Sequence, residues 1–402
     1  MSEPRALWLT NDLPPRSGGI EQFVGNLLAR GDPATTRVLA PDVHCAAEHD
    51  ATLAYEVRRS GRRPLLPTPA LARRLRQEAA AHGADVVVFA AAWPLGELAG
   101  ALPVPAVALS HGHEAGMARV GGGPLVRRAV RSLSALGVIS RYTAAALQPW
   151  VPPGVRVAWL PPGVDTEAFS PATTGAGVRH RHGIPSGAPL VVCVSRLVAR
   201  KGQDVLLAAW PGVRARVPEA WLLLAGAGPQ ASALSAQAAG LGAGSQVVVA
   251  GEVAWDRLPA YHAAADVFAM PCRTRWRGLD VEGLGIVYLE AQASGVAVVA
   301  GSSGGAPEAV VAGRTGLVVD GRSIASVTRA VSELLADPHR RGEMGRAGRA
   351  FVERHHAWPV IARRLRAVMA AAAATGPPNR RSLRAMDSPP APATSADDPG
   401  PR

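Results

Sequence analysis

LVVCVSRLVARKGQ, residues 190–203, joins a run of five apolar residues to a short basic segment and the start of a helical pattern. An unbroken apolar run of this length is typical of a strand buried on both faces, as in a parallel sheet covered by helices. The basic segment would then lie at the carboxyl end of the strand, where open α/β folds bind their ligands. This stretch therefore predicts one β-α unit of a doubly wound sheet.

The same alternation of apolar runs and helical periodicity extends over most of the chain on both sides of this unit. Strands are predicted at 6–10, 37–40, 85–90, 104–110, 135–139 and 155–159, and then at 190–194, 221–225, 246–250, 267–270 and 297–300. Two series of this kind predict an α/β protein with two doubly wound Rossmann-like domains that face each other across a cleft.

A change in composition marks the boundary between the two series. Residues 161–171 are rich in Pro and Gly, and residues 173–187 are polar and basic. We predict a first domain at 1–170, a second domain at 171–357 and a helix at 358–375 that crosses back to the first domain. Residues 376–402 are rich in Pro, Ser and Ala without apolar periodicity, which predicts a disordered tail.

The composition restricts the compartment and the partners of this 402-residue chain. Its net charge of +12 favours anionic partners: nucleotide phosphates, acidic lipid headgroups or nucleic acid. No stretch combines aromatic and basic residues as single-strand binders do, so nucleic acid is not expected. Three cysteines without a CxxC pair fit a reducing cytoplasm and predict neither disulfides nor a zinc site. Neither residues 1–10 nor the proline-broken run 84–110 suits a signal peptide or a membrane span.

Among 43 basic residues the chain has a single lysine, Lys201. Lysine is a compact point charge whereas arginine is a broad planar fork, so a surviving lysine suggests a pocket in which arginine will not serve. Arg196 and Lys201 both follow the strand at 190–194, and the pair suits a diphosphate. The alternative is that both are ordinary charges on a solvated loop.

The strongest candidate element is EGLGIVYLE at residues 282–290. Glu282 precedes a helix, Glu290 lies about two turns inside it, and free N–H groups at Gly285, Ile286 and Val287 would hold phosphate oxygens. The two carboxylates would accept hydrogen bonds from hydroxyl groups of a sugar and of a ribose. Glu290 would otherwise be an ordinary helix-surface residue, but its apolar neighbours predict burial, where an unpaired carboxylate is costly.

Two motifs of the first half would face the same cleft. In NDLPPRSGG, residues 11–19, Gly18 and Gly19 would open a helix and admit an anion to its N–H groups, although an ordinary glycine-rich turn fits equally well. In SHGHE, residues 110–114, His111 follows a buried strand and is a candidate functional residue. One of the two histidines of this motif is expected to be structural.

Together these motifs resemble those of the retaining, nucleotide-sugar-dependent glycosyltransferases of family four, which have the two-domain GT-B fold. The two glutamates with seven residues between them are that family's signature, and GGAPE at 304–308 fits too. Finer motifs are similar to those of the actinobacterial GDP-mannose-dependent α-(1→6) phosphatidylinositol monomannoside mannosyltransferases: TNDLPP at 10–15, HGHE at 111–114, RTR at 273–275 and GLDVEG at 278–283. Trp276 and Arg277 depart from that pattern, close to the expected sugar pocket.

The resemblance implies a role for each candidate residue. His111 would stand beside the donor sugar, Arg196 and Lys201 would neutralise the leaving diphosphate, and Glu282 would bind the sugar hydroxyls; these four would form the catalytic set. Further donor contacts would come from Gly18, Gly19, Val253, Gly285, Ile286, Val287 and Glu290.

The resemblance also implies the donor and the class of reaction. The donor would be a nucleotide sugar, GDP-mannose, and the acceptor an anionic glycolipid of the phosphatidylinositol mannoside type. No permanently bound cofactor and no metal would be needed. Three alternatives stay open: a UDP-sugar-dependent enzyme with another lipid or a soluble acceptor, a nucleotide-binding regulator without catalysis, and a nucleotide-sugar epimerase.

A glycolipid acceptor would require the first domain to touch the inner face of the cell membrane, as a cytoplasmic peripheral protein. Arginines cluster in two parts of that domain: Arg58, Arg59, Arg62, Arg63, Arg73, Arg74 and Arg76, and then Arg127, Arg128 and Arg131. The second cluster is interleaved with apolar residues at helical spacing, which suits an anionic membrane surface. A solvated helical face is the alternative.

Overall fold

A computed structural model describes residues 3–16, 18–61 and 64–376. The first of its two sheets is entirely parallel. The strands of this sheet are β1 Ala6–Leu9, β2 Thr36–Pro41, β3 Glu56–Ser60, β4 Val86–Phe89, β5 Ala106–Ser110, β6 Ala135–Val138 and β7 Arg156–Trp159. They lie in the order β3-β2-β1-β4-β5-β6-β7. The helices between them are α1 Gly19–Leu28, α2 Ala46–Asp50, α3 Pro69–His82, α4 His113–Met117, α5 Gly123–Val130 and α6 Arg141–Leu147.

A second parallel sheet follows along the chain. Its strands are β8 Leu190–Val194, β9 Trp221–Ala225, β10 Val247–Gly251, β11 Val267–Met270, β12 Ala297–Gly301 and β13 Gly316–Val319, in the order β10-β9-β8-β11-β12-β13. The helices of this half are α7 Ala176–Arg181, α8 Gln203–Arg214, α9 Ala231–Gly240, α10 Leu258–Ala263, α11 Ile286–Ala293, α12 Ile324–Ala336 and α13 Pro338–His355.

The eleven strands predicted from the sequence are confirmed, and two further strands lie at sheet edges. β3, with the sequence EVRRS, is partly exposed and carries three charged residues, so it shows no apolar run. β13 is a four-residue strand that opens on a glycine. Edge strands bury fewer side chains than central ones, and their sequences therefore carry a weaker signal.

The last helix, α14 Trp358–Thr375, packs on the first sheet rather than on the second. Its buried residues Trp358, Ile361 and Leu365 belong to the same apolar cluster as Trp8 and Phe23. The chain crosses over beside residue 164, where the Val164 N–H donates to the carbonyl of His356 at 2.8 Å. The C-terminal helix thus ties the end of the chain to the first sheet, while the exact domain boundary at 170/171 stays a prediction.

Two further predictions concern the membrane and the tail. Among the described helices, none has both the length and the apolar character that crossing a bilayer requires. Of the segment 376–402 that the sequence predicts to be disordered, residues 377–402 lie outside the described residues.

Candidate functional site

A cavity of about 840 Å³ lies where the carboxyl ends of the two sheets face each other. Gly19 and His111 line it from the first half of the chain, and Arg196, Glu282 and Glu290 line it from the second. Ligands of open α/β folds bind at this edge of the sheet. The fold therefore brings these five predicted residues, which lie far apart in the sequence, to one cleft.

The turn after β8 positions its two predicted cations differently. The Gln203 side chain donates to Ser195 Oγ at 2.8 Å and to the Arg196 carbonyl at 3.1 Å, which fixes the turn. Arg196 is exposed, lines the cavity and forms no ion pair with any described residue. Lys201 is only 8% exposed, and its Nζ lies 2.7 Å from Glu282 Oε2. An anion in the cleft would thus meet a free guanidinium first, with the ammonium held just behind the cavity wall.

Glu282 is held by a second cation that the sequence-based prediction omits. Arg200 Nε lies 3.7 Å from Glu282 Oε2, and Arg200 Nη1 lies 3.7 Å from Asp280 Oδ1. Because Glu282 is 6% exposed, its carboxylate needs such compensation. The adjacent basic pair at 200–201 was the available signal, but only the fold shows that both side chains reach the same carboxylate.

Helix α11 presents its N-terminus to the cleft. Gly285 has φ of 83°, in the left-handed region, and no side chain of the described residues caps the helix. Gly285 and Ile286 line the cavity, whereas Val287 does not. The free N–H groups and the helix dipole therefore favour an anion at this point of the cleft.

Glu290 is buried, as its apolar neighbours predict, and is not a surface residue. It is 2% exposed, and its Oε2 lies 3.5 Å from His262 Nε2. His262 is itself buried, with its ring stacked on Phe268 at 5.2 Å between centroids. The carboxylate reaches the cavity from this rigid surrounding, so its position is well defined before any ligand binds.

His111 is held as a neutral imidazole at the carboxyl end of β5. Its Nε2 lies 2.6 Å from the Ala90 carbonyl oxygen, so Nε2 carries a proton, and in the neutral ring Nδ1 keeps its lone pair. Burial lowers the pKa of His111, since it disfavours the charged ring. Of the two histidines of the motif, His111 packs against Phe23, with 5.4 Å between ring centroids, while His113 is exposed.

The two glycines before α1 have different surroundings. Gly19 lines the cavity, and a Cβ added there would meet no atom within 4 Å. Gly18 does not line the cavity, and a Cβ there would lie 2.2 Å from Glu21 Oε2. Glu21 is buried in the first turn of α1, so this helix already has a carboxylate of its own near its positive end.

Two tryptophans that the sequence-based prediction omits line the cavity, whereas Val253 and Trp276 do not. Val253 packs against the core of the second half and is not among the cavity's lining residues, whereas Trp255, two residues later, lines the cavity and is 50% exposed. Trp358 of α14 also lines it. Trp276 is 66% exposed, stacked under Arg275, and lies outside the lining. No sequence motif distinguishes Trp255 or Trp358 from a structural aromatic residue.

Some arginines of the two predicted basic clusters form ion pairs within the protein. Arg59 pairs with Asp50 at 2.6 Å, and Arg128 pairs with Glu97 at 2.8 Å. Four other arginines of these clusters are exposed and form no ion pair with the described residues: Arg73, Arg76, Arg127 and Arg131. The apolar residues beside the second cluster, such as Val126 and Val130, are buried in the core. Arg62 and Arg63 lie outside the described residues.

Comparisons with known proteins agree with this geometry. A family model described as Glycosyltransferase Family 4 matches residues 17–168, and one described as Glycosyl transferases group 1 matches residues 178–351. The chain is 44% identical to the GDP-mannose-dependent alpha-(1-6)-phosphatidylinositol monomannoside mannosyltransferase of Mycolicibacterium smegmatis, over 89% of this chain and 96% of that protein. This chain belongs to the same glycosyltransferase family.

A further relative supports that assignment. The GDP-mannose-dependent monoacylated alpha-(1-6)-phosphatidylinositol monomannoside mannosyltransferase of Corynebacterium glutamicum is 41% identical, over 90% of this chain and 96% of that protein. The family predicted from the motifs is therefore confirmed, and the protein is a glycosyltransferase.

Solved structures confirm the GT-B fold of this glycosyltransferase. Sucrose-phosphate synthase of Thermosynechococcus elongatus superposes with a TM-score of 0.72 at 21% identity, covering 92% of this chain and 100% of that one. The Anabaena protein HepE in complex with UDP gives a TM-score of 0.74 at 20% identity, covering 91% and 100%. Among the described residues, no group of three or more His, Cys, Asp or Glu side chains is arranged to hold a metal ion.

Proposed function

We propose that this glycosyltransferase transfers mannose from GDP-mannose to a glycolipid acceptor of the phosphatidylinositol mannoside type. Identities of 41% to 45% with mannosyltransferases of that name, over about 90% of the chain, carry the proposal. The cleft adds support, because it combines cations, a free helix N-terminus and two buried carboxylates, which is the chemistry that a sugar diphosphate needs.

In the proposed donor complex, the second half of the chain holds the nucleotide. Arg196 and Lys201 neutralise the charge that develops on the leaving diphosphate, which is an electrostatic task. Phosphate oxygens accept hydrogen bonds from the first N–H groups of α11. Glu282 binds the sugar hydroxyls, and Glu290 the ribose.

His111 acts on the sugar side of the proposed complex. Because its ring is neutral, it adds no positive charge next to the sugar, and the Nδ1 lone pair favours the positive charge that develops at the anomeric carbon. The acceptor hydroxyl attacks from the face that the diphosphate leaves. The donor's own phosphate takes the acceptor proton, and the anomeric configuration is retained.

The acceptor would bring the first half of the chain to a membrane. The exposed arginines Arg73, Arg76, Arg127 and Arg131 suit anionic headgroups, each contributing about 1 kcal/mol near such a surface. Flotation with vesicles containing phosphatidylinositol tests this part of the proposal. We expect binding that weakens with salt, and no binding at low salt would favour a soluble acceptor.

A donor screen tests the central claim. The purified protein is incubated with phosphatidylinositol monomannoside and an equimolar mixture of GDP- and UDP-sugars, and mass spectrometry follows donors and products. We expect only GDP-mannose to be consumed, with one hexose added to the lipid and with no loss of rate in EDTA. Consumption of a UDP-sugar instead would overturn the proposed donor, and an isomerised nucleotide sugar without transfer would indicate an epimerase.

A further inference from the structure

The turn at 303–308, after β12, is fixed to the backbone of Glu282. The Gly305 N–H donates to the Glu282 carbonyl at 2.9 Å, and the Glu282 N–H donates to Ser303 Oγ at 3.3 Å. Ser303 is fully buried. Any movement of this turn therefore moves the residue that is proposed to bind the donor sugar.

The same turn reaches across the cleft to the first half of the chain. Glu308 Oε2 accepts from the Arg141 N–H at 2.7 Å, and Glu308 Oε1 accepts from the Tyr142 N–H at 2.8 Å. These are the first two N–H groups of α6, and Ser140 Oγ accepts from the third, that of Thr143, at 3.1 Å. A carboxylate of the second half thus completes the hydrogen bonding of a helix in the first half.

Close packing surrounds this bidentate contact. A Cβ added to Gly305 would lie 2.8 Å from Ser140 Oγ, so the two halves approach without room for a side chain. A Cβ added to Gly283 would lie 3.0 Å from Ile139 Cδ1 and 4.0 Å from the carbonyl oxygen of His111. The segment 282–283 therefore rests directly on the part of the first half that carries His111.

We propose that Glu308 is a positioning residue. Its carboxylate accepts hydrogen bonds from the N-terminus of α6 across the cleft and thereby sets the distance between Glu282 and His111. The proposal deepens the proposed function, on which the roles of those two residues rest. Hydrogen bonds to an ionised acceptor are stronger than neutral ones, and a helix N-terminus adds a favourable dipole. Both donors at hydrogen-bond distance are backbone groups. The Arg141 side chain is 89% exposed, and its Nε lies 4.0 Å from Glu308 Oε2, so this exposed ion pair should add little.

Two variants with a matched control test this role by kinetics. Glu308→Gln keeps one acceptor and turns an amide N–H toward the second backbone donor, and Glu308→Ala removes both acceptors. We expect kcat for mannosyl transfer to fall about 10- to 100-fold in either variant, the range of a lost charged hydrogen bond. The GDP dissociation constant should change by less than about threefold, because the proposed nucleotide contacts lie within the second half, whereas the bonds that are lost run to α6 of the first half. Arg141→Ala should behave like the wild type.

A conservative replacement separates positioning from a general loss of structure. Glu308→Asp keeps the carboxylate on a shorter side chain and should recover part of the rate lost in Glu308→Ala. All four variants should have the thermal midpoint of the wild type to within a few degrees. A Glu308→Ala variant with wild-type kcat would overturn the proposal.

Small-angle X-ray scattering of the unliganded protein gives a readout that does not depend on the donor. Glu308→Ala should show a larger radius of gyration than both the wild type and Arg141→Ala, because the cleft opens. A fall in kcat without any change in scattering would contradict the positioning role. Absence of mannosyl transfer in the wild type would reject the proposed function instead, and the scattering comparison would still decide whether Glu308 holds the halves together.

Discussion

Lys201 and Arg196 illustrate how the fold separates two cations that look alike in the sequence. Lys201 is buried against Glu282, whereas Arg196, five residues earlier, is exposed in the cleft. Lys201 is only 8% exposed, and its ammonium lies 2.7 Å from the Glu282 carboxylate. A thin ammonium stem fits this site, and a guanidinium fork requires more room.

We predict that Lys201→Arg lowers kcat/KM for mannosyl transfer by at least about tenfold, because the larger group cannot keep the 2.7 Å contact with Glu282 without displacing it. Initial rates with GDP-mannose measure the effect. Arg181→Lys, at an exposed position of α7, is the control and should leave the rate unchanged. Wild-type rates in Lys201→Arg would show that arginine serves equally well at this position, so that the single lysine has no special role.

At the scale of the element, the start of α11 depends on a backbone conformation that only glycine adopts cheaply. Gly285 has φ of 83°, and a Cβ there would lie 2.5 Å from the Tyr288 ring. We predict that Gly285→Ala lowers the free energy of unfolding by more than about 1 kcal/mol and weakens GDP binding.

Calorimetric titration with GDP and urea unfolding measure the two effects of Gly285→Ala. Gly240→Ala is a suitable control, since Gly240 ends α9 with φ outside the left-handed region and no atom within 4 Å of an added Cβ. It should leave both quantities unchanged or raise stability slightly. Normal GDP affinity in Gly285→Ala would argue against a phosphate at the N-terminus of α11.

The junction between α13 and α14 contains a buried titratable ring. His356 is fully buried; burial, and then the charge of Arg364, lower its pKa from the usual 6.5 to about 3. A pKa that is depressed in the folded state contributes stability above the unfolded pKa, and that stability is lost as the pH falls from 6.5 towards 3. We predict a loss of about 2 kcal/mol from this residue between pH 7 and pH 5.

Urea unfolding at pH 7 and pH 5 measures this dependence. His356→Phe keeps an aromatic ring in contact with Trp159 and Phe351 but does not titrate, so the variant should lose less stability than the wild type over the same interval. His180→Ala, at an exposed position of α7, is the control and should keep the wild-type slope. Equal slopes in the wild type and His356→Phe would show that other groups cause the acid sensitivity.

At the scale of the whole molecule, α14 links the end of the chain to the first sheet and to the cleft. Ile361 is fully buried among the residues of that sheet's cluster, and Trp358, one turn earlier, lines the cavity. We predict that Ile361→Ala lowers the free energy of unfolding by about 2–5 kcal/mol, through lost transfer energy and a cavity. Arg363→Ala, at an exposed position of α14, should cost less than about 0.5 kcal/mol in the same urea titration.

Local sequence patterns determined the fold class, the family and the positions of most strands of this protein. Apolar runs predict the central strands because these strands are buried on both faces, and the glutamate motif at 282–290 identifies the family because its spacing is short and fixed. The edge strands β3 and β13 are not predicted by such runs. An edge strand can contain charged residues, as β3 does, or be only four residues long, as β13 is, and still pair with its neighbour. Sequence alone therefore predicts the fold class, the family and most of the cleft.

Contacts between residues distant in the chain were decided only by the tertiary structure. Arg200 shares the carboxylate of Glu282 with Lys201, Trp358 reaches the cleft from the last helix, and Glu308 bonds α6 from 166 and 167 positions away. No local pattern encodes such contacts, because they depend on which strand ends and helix ends the two sheets bring together. The single lysine was visible in the sequence, whereas its buried ion pair exists only in the fold.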